Sequence, residues 1–294
     1  AAGPWVDEVL KLALGRNDAQ NVRLVRGSHI VVDELFDHER CYIFQNADDR
    51  IICAIPYERG FTLIGTTDQD HRDGLDKIEA SDQEISYLCE AATEYFKKSI
   101  TPKDVVWTYS GVRPLFDDGA SKAQETTRDY VIKKEGEAES GVLINVLGGK
   151  ITTYRKLAEV VLDDIEEALG ARQPAWTEAS TLPGGDFEPS EFADLMQRYD
   201  KRYGFISRTH LNRLLRCYGT RAEKMLGDAT SLNDLGRHFG ADLYQAEVDY
   251  LVKNEWAREA DDILFRRTKL GIKFNKAQTK SLASYLASQS RQAA

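Results

Sequence analysis

The segment Gly148-Gly149-Lys150-Ile151-Thr152-Thr153 gathers groups that can do chemistry: two residues without a Cβ, an ammonium and two hydroxyls. It follows a strand-length apolar run, Val142–Leu147. Behind it Tyr154, Leu157, Ala158, Val161, Leu162, Ile165 and Leu169 recur at helical i, i+3, i+4 spacing. These seven residues are expected on one buried helix face, with Gly170 as the C-cap. Strand, paired glycines and helix start together let an anionic or electron-rich ligand come close. Glycine removes side-chain bulk, and first-turn amides carry the positive end of the helix dipole. A glycine-eased turn with a solvated lysine is the competing reading. The segment is not a nucleotide P-loop, because Ile144 stands where its first glycine belongs and Ile151 follows the lysine.

Three further residues carry open alternatives. Arg113 precedes Pro114, which disfavours helical backbone before it, so the arginine is expected in extended chain and rigidly held. That suits a planar fork for phosphate or carboxylate, or equally a surface ion pair. Arg128, in TTRDY, has the same two readings. His29 opens the run SHIVVDEL, where a packed or edge histidine competes with a catalytic one. Asp68-x-Asp70-His71 can be drawn as a metal corner, but a polar loop is the preferred reading, and no metal site is expected. Cys41, Cys53, Cys89 and Cys217 form no CxxC pair, which reads as a reduced compartment without structural zinc.

The elements that must position these groups follow a clear order. AAGPWVDEVL, without an initial methionine, reads as a strand end and turn leading into a helix, an opening expected of a piece cut from something longer. From Val22 to Thr67 the pattern is of strands at Ser28–Leu35, Cys41–Gln45, Arg50–Pro56 and Phe61–Thr66, with short connections that imply antiparallel pairing. Ser81-Asp82-Gln83-Glu84 is a capping box opening a helix to about Lys98. Val105–Gly111 returns to strand, Thr126–Tyr130 enters another, and a turn is expected over 134–140. After the Pro174–Pro189 linker the chain reads as helices at Glu191–Tyr203, Arg208–Tyr218, Ala241–Ala257, Asp261–Leu270 and Thr279–Ala287.

With 294 residues, 42% of them hydrophobic, the chain can build two domains. A net charge of −9 argues against nucleic-acid binding. The charge is uneven: after Asp262 there are seven basic residues and no acid. That stretch is either a solvated helical face or an electrostatic foot for an anionic membrane surface. No apolar run is long enough to span a bilayer, and no signal-peptide pattern is present in these residues.

Taken together and in order, AAGPWVD, GSHIVV, IGTTD, VVWTYSGVRPL, TTRDY, LGGKITTYRKLAE and ADDILFRRTKLG resemble the FAD-dependent, quinone-linked glycerol-3-phosphate dehydrogenases over nearly the whole chain. The resemblance implies a mixed α/β and α+β fold. Residues 1–21 and 111–170 would be parts of a discontinuous, amino-acid-oxidase-like FAD-binding domain. Residues 22–110 would form an antiparallel substrate-binding domain, and 175–294 an all-α C-terminal domain. It implies FAD as cofactor, held in part by Gly148, Gly149, Lys150, Thr152 and Thr153. The helix amides near Thr152 would face the flavin C2 carbonyl.

On the same resemblance, Arg113, Arg128 and Lys150 bind the phosphate of glycerol 3-phosphate. His29, Arg113 and Lys150 form the catalytic set, with His29 taking the C2 hydroxyl proton. The implied setting is cytoplasmic, peripherally docked on the inner membrane face, with a quinone acceptor; a homodimer stays open. The family's G-x-G-x-x-G spacing occurs nowhere in these residues. The expectation is therefore a C-terminal portion inactive alone, with exposed strand edges that favour self-association. Two alternatives are an oxygen-using glycerol-3-phosphate oxidase and a non-catalytic module that binds membrane or partner.

Overall fold

Two long strands set the frame of the first half of the chain. The computed structural model describes residues 1–123, 125–136, 141–170 and 173–292, in two units, Ala1–Glu178 and Ala179–Ala294. In unit 1, α1 (Val6–Leu14) buries Val6 and Leu10 against Leu147, and its Asp7 carboxylate accepts hydrogen bonds from Asn21 N and Nδ2 at 2.8 and 2.7 Å. The chain then enters β1 (Val22–Asp33), β2 (Tyr42–Gln45), β3 (Ile51–Tyr57), β4 (Phe61–Gly65) and the short β5 (Gln69–Asp70). Helix α2 (Asp82–Tyr95) and strand β6 (Val105–Phe116) follow.

All pairings are antiparallel. β2, β3, β4 and β1 lie side by side, β5 pairs with the first half of β1, and β6 runs along its other edge from Val22↔Phe116 to Val32↔Val105. β1 is longer than the expected Ser28–Leu35 because Arg23, Arg26 and Gly27 break the apolar pattern while still pairing. β6 likewise continues past Gly111, through the extended Arg113 and Pro114, to Phe116.

One face of this sheet is a core. Ile30, Val32, Ile52, Ala54 and Ile64 pack on Leu88, Cys89, Ala91 and Ala92 of α2. The capping box that opens α2 is present, with Ser81 Oγ accepting from Glu84 N at 3.3 Å. Glu84 does more than cap. It is buried, accepts from Ser28 Oγ at 2.8 Å and Thr67 Oγ1 at 2.7 Å, and pairs with Arg26 at 2.9 Å. Burial pushes the Glu84 carboxyl up, but the donors at Ser81, Thr67 and Ser28 outweigh it and hold it below the ordinary value.

β7 (Tyr130–Glu135) and β8 (Leu143–Gly148) form a separate hairpin sheet, followed by a 3-10 turn over Ile151–Thr153 and α3 (Tyr154–Leu169). The strand expected from Thr126 begins only at Tyr130. It continues through Glu135, and the rest of the turn expected over 134–140 lies outside the described residues from 137 on. The helix is where the pattern placed it, but its apolar stripe is not buried. Leu162, Ile165 and Leu169 are 45, 37 and 68% exposed. An apolar cleft of about 430 Å³ lies between Val146 of β8 and Leu157, Val161 and Leu162 of α3. Periodicity marks which face is apolar and not whether anything covers it.

Unit 2 is helical apart from one hairpin: α4 (Phe192–Arg202), α5 (Arg208–Tyr218), α6 (Ala222–Leu226), β9 (His238–Gly240), β10 (Leu243–Tyr244), α7 (Gln245–Asn254), a π-helical turn at Asp262–Arg267 and α8 (Lys276–Gln292). The hairpin takes residues expected to open a helix at Ala241. The core includes Leu211, Leu214, Leu215, Leu243, Leu251, Ile263 and Leu282. Within it Glu247 is held by Arg213 through two 2.7 Å bonds and by Tyr218 Oη at 2.7 Å, so the buried carboxylate is multiply paired. The basic stretch is partly spent on structure. Arg266 and Arg267 pair with Asp262, and Arg267 donates to the Glu255 carbonyl, while Lys273, Lys276 and Lys280 are exposed.

Replacing Glu84 with Gln removes the charge that answers Arg26 and one acceptor among several donors. The expected outcome is a loss of roughly 3 kcal/mol in unit 1. A denaturant titration of the two variants, with Leu88→Ala as a core reference, measures it; an unchanged midpoint would contradict this account of Glu84.

Candidate functional site: an arginine pair on the open sheet face

Residues opposite one another in antiparallel strands project to the same side. The register Ile43↔Cys53, Cys53↔Gly65, His29↔Gly65 and His29↔Tyr109 therefore sets these five residues in one row on the face away from α2. Ser28, one position back, points to Glu84 on the other side. The alternation that buries Ser28 thus presents His29.

The imidazole is tightly seated. Its ring stacks on Tyr109, 4.8 Å between centroids and 5° from parallel. On its other flank a Cβ at Gly65 would overlap the ring, so any larger residue there must displace it. Nδ1 is buried and meets no hydrogen-bond partner among the described residues. Burial first, and the Arg113 cation second, pull its pKa from 6.5 down to about 4, with Asp68 opposing. At neutral pH the ring is uncharged and can accept a proton.

Arg113 lies across Gly27, whose missing side chain leaves the space its guanidinium fills. It donates from Nη1 to Asp68 Oδ1 at 2.9 Å and from Nη2 to Thr66 Oγ1 at 3.0 Å. Arg128 Nη2 donates to the other carboxylate oxygen, Asp68 Oδ2, also at 2.9 Å. The two arginines proposed on sequence thus meet at a single carboxylate. Burial lowers the Arg113 pKa, partly restored by Asp68 and lowered further by Arg128.

Lys150 stands apart. Its ammonium is half exposed and 4.0 Å from Asp129, the residue after Arg128. Gly148 and Gly149 have φ of +67° and +93°, and the space they leave is filled by protein. A Cβ at Gly148 would sit 3.0 Å from the Asp129 carbonyl oxygen, and one at Gly149 3.1 Å from Tyr130 Cβ. The two glycines thus let β8 come against the start of β7. The Thr153 hydroxyl donates to the Lys150 carbonyl at 2.9 Å, and Ile151 and Thr152 are exposed.

Sequence reasoning missed Asp68, Thr66, Tyr109, Gly27 and Gly65. Asp68 has a visible context, just beyond the strand that pairs with His29 and in the motif IGTTD, but no site role is assigned to it there apart from the metal corner. That corner is taken apart by its partners. Asp70 binds Arg23 at 2.6 and 2.8 Å, and His71 Nε2 meets the Gly74 carbonyl at 3.2 Å. No cluster of three metal-ligating residues exists among the described residues.

The depressed His29 pKa has a definite sign. The unfolded histidine binds a proton near pH 6.5 and the folded one only near 4. Its contribution to stability is therefore complete above about pH 6.5 and is lost as the pH falls toward 4. NMR titration of the ring is expected to give a pKa near 4, and saturating phosphate, by neutralising Arg113, is expected to raise it. A value near 6.5 without phosphate would refute the seating described. Gly65→Ala is expected to displace the ring and bring its pKa back toward 6.5 in the same titration.

Two family profiles match the chain, one described as "FAD dependent oxidoreductase" over residues 1–155 and one as "C-terminal domain of alpha-glycerophosphate oxidase" over 175–289. The aerobic glycerol-3-phosphate dehydrogenase of Escherichia coli (strain K12) is 40% identical over 99% of this chain and 58% of its own length. The D-erythritol 1-phosphate dehydrogenase of Brucella abortus (strain 2308) is 40% identical over 94% of this chain and 55% of its own. The crystal structure of the Bacillus halodurans glycerol-3-phosphate dehydrogenase complexed with FAD superposes with a TM-score of 0.76 at 28% identity, over 97% of this chain and 56% of that one. The chain thus spans a little over half the length of these relatives. By the profile that covers its first 155 residues, the chain belongs to the FAD-dependent oxidoreductases.

Proposed function

We propose that this chain supplies the substrate side of a flavoprotein that oxidises sn-glycerol 3-phosphate to dihydroxyacetone phosphate and passes the electrons to quinone. The observation that carries the reading is the convergence of Arg113 and Arg128 on one carboxylate, on the sheet face that presents an uncharged histidine. Within unit 1, residues 22–110 serve as the substrate domain, and 1–21 with 111–170 as parts of the FAD domain. Residues 175–294 form the helical domain.

FAD, when bound, accepts the hydride that leaves C2 of the substrate. The fit of this chain to it is partial. The open sheet face with His29 and Tyr109, and the exposed turn at Lys150–Thr153, offer a wall and polar edge for the ring. No G-x-G-x-x-G turn for the pyrophosphate occurs in these residues. Gly148 and Gly149 shape that turn, and the exposed amide and hydroxyl of Thr152 stand at the helix start. There they would favour negative charge on a bound flavin.

Arg113 and Arg128 hold the substrate phosphate through charge-assisted forks, with the half-exposed Lys150 as a third cation. His29 accepts the C2 hydroxyl proton. A base with a pKa near 4 is weak, but the phosphate cancels the Arg113 charge that helps depress it, so the base strengthens as substrate binds.

An oxygen-using oxidase is the second reading, favoured by the description of the profile on residues 175–289. Docking on an anionic membrane is supported by the exposed Lys273, Lys276 and Lys280. No helix among the described residues is long and apolar enough to cross a membrane.

The deciding test is an absorption spectrum of the chain incubated with FAD and desalted. A retained flavin band that bleaches anaerobically with glycerol 3-phosphate is the outcome expected if the site is self-sufficient. A colourless protein moves the test to the same chain joined to a relative's dinucleotide-binding segment. Failure of that assembled protein to bleach would overturn the proposal. There His29→Asn is expected to slow flavin reduction by 10²–10⁴-fold, and reoxidation by oxygen against a quinone analogue separates dehydrogenase from oxidase.

A further inference from the structure

Asp68 is placed as a phosphate would be. Its two oxygens each accept from a different arginine at 2.9 Å, and its side chain is only 15% exposed, against 29 and 37% for Arg113 and Arg128. Arg113 is fixed further by Thr66 and by its seat over Gly27. Two guanidiniums held around one carboxylate amount to a preformed anion site whose occupant belongs to the chain. Building on the phosphate-site reading above, we propose that Asp68 is a tethered competitor that sets which anions the Arg113–Arg128 pair accepts.

The argument is one of charge and effective concentration. A carboxylate fixed between two arginines competes at the millimolar or higher effective concentration that tethering confers. A free monoanionic carboxylate offers the same two oxygens and the same charge, so at ordinary concentration it gains nothing by exchange. A phosphate monoester at neutral pH carries a charge of −1.5 to −2 and a third oxygen, so it displaces Asp68 from at least one arginine. The outcome is selection for phosphorylated polyols over polyol acids, with the two arginines kept paired while the site waits.

Calorimetric titration of the full chain with inorganic phosphate and with acetate, at about pH 8 where phosphate is dianionic, tests this. Wild type is expected to bind phosphate and to show no acetate binding at millimolar concentration. Asp68→Asn is expected to bind phosphate about tenfold tighter, with a steeper loss of affinity on adding salt, and to bind acetate measurably. Asp68→Glu is expected to restore exclusion of acetate. Equal or weaker phosphate binding by a folded Asp68→Asn variant, without acetate binding, would show Asp68 to be a strut and overturn the inference.

If Asp68→Asn does not fold, wild type decides alone. The ¹³C resonance of the Asp68 carboxylate must shift as phosphate saturates, and a silent resonance overturns the inference. Absence of phosphate binding in every variant would instead sink the phosphate-site reading, and this inference with it.

Discussion

The antiparallel pairing of β1 with β6 and β4 is the constraint on which the first unit depends. Along β1 the side chains alternate between two environments that cannot be exchanged. Ser28, Ile30 and Val32 face α2, with Ser28 bonded to Glu84, while Gly27, His29 and Val31 face the other way. A slip by one residue would bring His29 against the α2 core and turn Ile30 outward, so the same apolar burial that fixes the register also fixes the site. The partners sharpen it. Tyr109 and Gly65 lie opposite His29, and the ring rests where a side chain at Gly65 would stand.

Two carboxylates then organise the charges on opposite sides of this sheet, to different ends. Glu84 is enclosed by hydroxyls, an amide and Arg26, and its lowered pKa reflects a charge fully answered by the fold. Asp68 answers Arg113 and Arg128, whose side chains stay 29 and 37% exposed. The same ion-pair chemistry is structural where every oxygen is enclosed and exchangeable where solvent reaches it. His29 feels the second cluster through Arg113, whose charge adds to burial in lowering its pKa, and through Asp68, which opposes both.

The helical unit repeats the enclosed arrangement at Glu247, held by Arg213 and Tyr218 within an otherwise apolar core. A pair this buried specifies how α5 and α7 meet, since any other packing would strand a charge. The basic residues beyond Asp262 divide by the same criterion. Arg266 and Arg267 are consumed by Asp262, and Arg267 also by the Glu255 carbonyl, whereas Lys273, Lys276 and Lys280 are exposed.

Much was determined by local pattern alone. The capping box at Ser81–Glu84, the helical period along the 16 residues of α3, the extended Arg113 and the succession of strands followed by helices rest on interactions between near neighbours in the chain. The ordered motifs pointed to the flavoprotein family and to Arg113, Arg128 and His29 as residues to watch. Tertiary structure decided what those residues touch. Asp68 joins two arginines from distant positions, Gly27 and Gly65 are explained only by the side chains lying on them, and Gly148 and Gly149 by the start of β7 packed against them. The apolar stripe of α3 is real in sequence and yet largely exposed, because period reports a side chain's direction while burial depends on what another part of a fold places against it.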